Sequence, residues 1–172
     1  MPEPIEHTEE QNGADSPQQQ QQYASEDGAT KVEGVVFAAA ELDERMLGAL
    51  HAASEKKAVQ VVALDLRPVA SFTDYFMIAS GTNARQVQAI ADGVVEHLKK
   101  LRVKPARVEG YNTAEWILLD YGDFIFHIFE EKARRFYDLE RLWREAARVP
   151  LPPELAGEEA RGAEGGSLRI ER

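Results

Sequence analysis

The chain has 172 residues, enough for one domain with appendages, and a formal net charge of −10. It contains no cysteine, which excludes a disulfide framework and thiolate metal sites and makes a reducing cytosol the expected compartment. No apolar run reaches membrane-spanning length, and no basic start leads into an apolar stretch, so a cytoplasmic protein without membrane contact is expected.

The acidity sits in the tails. Residues 1–36 carry −7 and residues 151–172 carry −2, which leaves −1 on residues 37–150. A nearly neutral body argues against nucleic-acid affinity built mainly on phosphate neutralisation, while leaving room for a local basic patch.

Residues 1–34 are rich in Glu, Gly, Ser and Pro, carry the run Gln18–Gln22 and have almost no large aliphatics, so they read as a disordered acidic extension. Leu42, Met46, Leu47, Leu50 and Ala53 then recur at helical spacing and predict a helix over 38–56. The β-branched run at 58–66 predicts a strand that Arg67-Pro68 helps to stop, and 74–80 predicts a second. Gly81-Thr82-Asn83 opens the clearest helix, with Asn83 as N-cap, Gln86 three residues on, and a stripe of Val87, Ile90, Ala91, Val94, Leu98 and Leu101. Residues 106–110 form a short strand before a hairpin that turns at Tyr121-Gly122-Asp123. A last helix is expected over 132–147, with Phe136, Leu139, Leu142 and Trp143 inward, before a flexible tail over 150–172. The order α-β-β-α-β-β-β-α implies an α/β fold with a mixed five-stranded sheet and three helices, in a domain spanning 35–149.

The hairpin is apolar at both parities. One collects Trp116, Leu118, Phe124, Phe126 and Ile128; the other collects Ile117, Leu119, Tyr121, Ile125, His127 and Phe129. A sheet with one wet face alternates instead. Three helices can cover one face and part of the second, so the uncovered remainder is expected on the hairpin, where another molecule could supply the cover.

Several residues invite a chemical reading. Asp65, Asp120 and Asp123 stand near strand ends and could hold Mg²⁺ for nucleotidyl transfer. Against that, Asp120 and Asp123 flank a tight turn, where Asp bonds its own backbone, and no Gly-Ser pair followed by paired acids is present. His127 lacks partners for a triad or a three-ligand metal set and reads as a structural or interface histidine. The segment 80–86 has one glycine and lacks the phosphate-loop lysine, so it reads as a backbone turn. Trp116 is either a core aromatic or an interface anchor, the residue type that most often dominates binding. Arg134, Arg135, Arg141 and Arg144 could meet RNA phosphates, but they fit a solvated helix face better. No catalytic residue, metal site or cofactor is assigned.

The segments 64–66, 74–81, 85–94, 109–110, 114–129 and 136–143, in this order, closely resemble the ribosomal silencing factor family, whose plant and mitochondrial relatives are called Iojap-related proteins. The resemblance spans about 40–148 and leaves both tails outside. It implies a core similar to nucleotidyltransferases without their catalysis. It also implies binding to ribosomal protein L fourteen on the large subunit, steric blocking of subunit joining, and repression of translation under nutrient limitation or in stationary phase. Mitochondrial relatives are linked to large-subunit assembly, and free members can form homodimers; ribosomal RNA contact is expected to be minor. On this resemblance the contact falls on the strand and turn at 114–123, with Trp116 and Leu118 as anchors and Asp120, Tyr121 and Asp123 as polar contacts. Glu115 and His127 complete that set.

Overall fold

A computed structural model describes residues 41–156, together with three short strands, β1 (Tyr23–Ala24), β2 (Thr30–Val32) and β3 (Val35–Phe37), which pair antiparallel. The rest of the acidic extension and residues 157–172 lie outside the described residues.

α1 (Glu44–Glu55) starts where Asp43 caps the Met46 amide at 3.0 Å. β4 (Val59–Asp65) and β5 (Tyr75–Gly81) follow, and α2 (Ala84–Lys100) begins at the expected cap, with Asn83 accepting from the Gln86 amide at 2.9 Å. The Gln86 side chain reaches back to the Thr82 amide at 2.7 Å and donates to the carbonyls of Lys56 and Lys57, tying the start of α2 to the end of α1. β6 (Arg107–Glu109), β7 (Trp116–Asp120) and β8 (Phe124–Glu130) come next, then α3 (Glu131–Tyr137), α4 (Leu139–Leu142) and β9 (Ala147–Arg148).

The sheet is six-stranded rather than five-stranded, in the order β6-β7-β8-β5-β4-β9, with β5 and β8 parallel and the other pairs antiparallel. The sixth strand, β9, begins at Ala147, the last residue of the expected final helix. That helix breaks at Asp138, which takes a left-handed conformation with φ 46° and ψ 57°; Asp tolerates this better than most side chains. Ala147–Arg148 then pairs with β4. The core also runs past 149 to Ala156, because Leu151 and Leu155 pack against it.

Each sheet face has its own cover. α1 and α2 lie on the first, burying Leu50, Val87, Ile90, Val94 and Leu98 against Met77, Ile117, Leu119, Phe126 and Ile128. The second face holds Leu64, Phe76, Ile78, Ile125 and Phe129 under Leu66, Leu139 and Ala146. β5 and β8 sit centrally and are buried on both faces, which accounts for their unbroken apolar runs. β7 is covered on one face only, its exposure alternating from Trp116 to Asp120.

Candidate functional site

The hairpin turn decides which residues share a face. Gly122 takes φ 90°, the Tyr121 amide donates to the Phe124 carbonyl at 3.0 Å, and the Gly122 amide donates to Asp120 Oδ1 at 2.9 Å. The register then sets Trp116 opposite Phe129, Leu118 opposite His127 and Asp120 opposite Ile125. The two parities therefore swap across the turn: Trp116 and Leu118 share their face with Ile125, His127 and Phe129, not with Phe124, Phe126 and Ile128.

On that face the aromatic rings form one continuous band. Phe136 contacts Tyr137 at 5.1 Å, and Tyr137 contacts Trp116 at 4.9 Å. Trp116 stacks on Phe129 at 4.9 Å and donates its Nε1–H to His127 Nδ1 at 3.0 Å. His127 meets Phe76 edge-on at 4.4 Å, and Phe76 leads to Phe72 and Trp143 at 6.0 and 5.6 Å. The middle of the band is buried and its ends are not: Phe136 is 81% exposed, Phe72 57% and Tyr137 47%, while Leu142 beside Trp143 is 72% exposed. Trp116 and Leu118 are half-buried between them.

The residues singled out from sequence occupy three environments. Trp116 and Leu118 lie on the open face, and Glu115 is exposed beside them. Asp120 and Asp123 sit at the turn, each engaged. Asp120 accepts from the Gly122 amide and lies 3.7 Å from Arg107, and Asp123 pairs with Arg45 of α1. Tyr121 and His127 are buried, so neither is open to a partner as a polar contact. Tyr121 stacks on Phe124 beneath the first-face helices, its hydroxyl has no partner among the described residues, and burial pushes its pKa up to about 12. His127 accepts from Trp116 at Nδ1, so the neutral ring carries its proton on Nε2; burial holds its pKa down to about 3.

The alternative chemistries fare differently. Asp65, the third carboxylate, is buried and paired with Arg67 at 2.9 Å. No three His, Asp or Glu side chains converge among the described residues. At the start of α2, the Thr82 amide and hydroxyl both donate to Gln86, so the chain fills its own turn. Arg134 is not on a solvated face: it is buried, donating to Ser80 Oγ at 2.9 Å and pairing with Glu140, whereas Arg135, Arg141 and Arg144 are exposed. Leu142, expected inward, points outward because the break at Asp138 changes the phase of everything after it; Phe136, ahead of the break, is outward because α3 turns Arg134 to the interior instead. Asp after an aromatic pair, followed by a fresh Leu-Glu-Arg-Leu run, was the available signal of two helices.

The second sheet face thus leaves aromatic side chains open beside carboxylates that are already engaged. The family model described as "Ribosomal silencing factor during starvation" matches residues 39–167. The chain belongs to the ribosomal silencing factor family. It is 40% identical over 103 residues to the ribosomal silencing factor of Halalkalibacterium halodurans, covering 60% of this chain and 88% of that one. The Bacillus subtilis ribosomal silencing factor is 36% identical, with 60% and 87% covered. A crystal structure from Chromobacterium violaceum, 31% identical, superposes with a TM-score of 0.59 over 66% of this chain and 91% of that one. A mouse protein named for mitochondrial assembly of the ribosomal large subunit is 30% identical over 92 residues, with 52% of this chain and 40% of that protein covered. Among the described residues of this ribosomal silencing factor family member, no helix is long and apolar enough to cross a membrane.

Proposed function

We propose that the chain is a translation repressor that seats its aromatic face on ribosomal protein L fourteen of the large subunit and blocks joining of the small subunit. The action belongs in the cytoplasm, under nutrient limitation or in stationary phase, and a free pool of homodimers fits the same reading. The observation that carries it is the band from Phe136 through Trp116 to Phe72, with large apolar side chains left open at both ends on a family member's sheet. Contiguous apolar surface of this kind marks binding sites, and about 1,600 Å² of total interface suffices for a specific complex. Trp116 and Leu118 serve as anchors, Glu115, Asp120 and Asp123 form the polar rim, and Tyr121 and His127 act from beneath by fixing the turn and the Trp116 ring.

Steric blocking needs no acid, base or cofactor. A nucleotidyltransferase-like core used without catalysis fits the three aspartates, each already held by an arginine or the turn. The test is light scattering of subunit joining: saturating protein lowers the 70S signal, and an unchanged signal overturns the reading. The name of the mouse relative favours a second role in large-subunit assembly, which deletion would reveal as accumulating precursor particles.

A further inference from the structure

Residues 97–108 hold five cations, Lys99, Lys100, Arg102, Lys104 and Arg107, and no carboxylate. Since residues 37–150 sum to −1, the rest of the body carries −6, and this segment is its one concentrated block of positive charge. All five are exposed. Among the described residues, the first four form no ion pair; Arg107 reaches Glu109 and Asp120 only at 3.4 and 3.7 Å, with its side chain 59% exposed.

Helix-dipole stabilisation accounts for Lys99 and Lys100 in the last turn of α2, but not for the others, which lie beyond the helix. Arg102 even occupies the left-handed position after the helix end, with φ 61°, where glycine is the usual residue. Leu101 and Val103 turn inward onto the core between these charges. Val108, 44% exposed, is the one large apolar side chain the segment leaves open, where a membrane-surface segment would insert several.

Its placement gives the charges a role. The Ala106 amide donates to the Asp120 carbonyl at 2.7 Å, and Arg107 pairs in register with Asp120. Arg107 thus stands on the same sheet face as Leu118, and the segment leads from the end of α2, on the first face, to the β6 edge of the open face.

We propose that this segment is a phosphate-binding rim that lies on ribosomal RNA beside the protein docking site when the aromatic face is seated. The inference rests on the docking reading above but is tested separately. A contact of this kind is electrostatic, independent of base sequence, and steeply salt-dependent.

The experiment is co-sedimentation of the full chain with isolated large subunits across a salt series, comparing wild type with the triple variant Lys99→Gln, Lys100→Gln, Lys104→Gln and with Phe136→Ser. The triple variant is expected to bind on the order of tenfold more weakly at low salt, with a log–log salt slope shallower by about two. An unchanged affinity and slope overturns the rim. Phe136→Ser is expected to weaken binding at every salt concentration with the slope kept. If it binds like wild type, the docking reading fails, while a shallower slope in the triple variant still upholds the rim. Vesicles of phosphatidylglycerol and phosphatidylcholine supply the membrane control: a charge-dependent loss seen there but not on subunits assigns the segment to lipid and overturns the proposal.

Discussion

Trp116 is held by its neighbours before any partner arrives. Its indole donates to His127, stacks on Phe129 and leans on Tyr137, so truncation removes packing and presentation together. Trp116→Ala is therefore a poor probe of binding alone. Phe136, 81% exposed, is the clean one. Phe136→Ser should change stability by less than about 0.5 kcal/mol in urea unfolding yet weaken large-subunit binding by about 2 kcal/mol if it is an anchor.

His127 makes a separate prediction. Its pKa is about 3 in the folded chain against 6.5 when free of the fold. Between those values the unfolded state binds the extra proton, so stability falls as pH drops through that window and is flat above it. Between pH 7 and pH 5 the wild type should lose about 2 kcal/mol more than His127→Gln, measured by urea unfolding at both pH values.

At the scale of elements, two backbone conformations shape the site. Asp138 splits one expected helix into α3 and α4, which turns Leu142 outward and leaves Ala147–Arg148 to join the sheet. Gly110 fixes the other end of the face. It has φ 75°, and a Cβ there would stand 2.0 Å from the Trp116 carbonyl oxygen. Gly110→Ala should cost about 3 kcal/mol, and hydrogen exchange should show β6 and the start of β7 opening first.

Across the whole molecule, Arg134 joins the layer carrying the aromatic band to the centre of the sheet. It is 7% exposed, bonds Ser80 of β5 and pairs with Glu140 of α4. Arg134→Ala leaves the half-buried Glu140 and the buried Ser80 hydroxyl unmatched and should cost about 3 kcal/mol. Subunit binding should fall with it, although Arg134 touches no partner. Thermal unfolding beside co-sedimentation checks this: binding lost with the melting temperature unchanged would make Arg134 a contact instead.

What the sequence determined by itself were the features set by local chemistry. The Asn83 cap, the α2 stripe, the strands β4 to β8 and the Gly122 turn depend on neighbours a few residues away, and all are found where their residues predict. The motif series, read in order, also pointed to the family. Only the tertiary structure decided which faces are covered. A helical pattern that runs on to Leu142 cannot reveal that one left-handed residue resets its phase, and strand parity cannot reveal that a turn swaps the faces. Burial is a property of what packs opposite, and for β7 the second face of the sheet stops short. That is why Trp116 and Leu118, apolar like the core, end at the edge of an open surface.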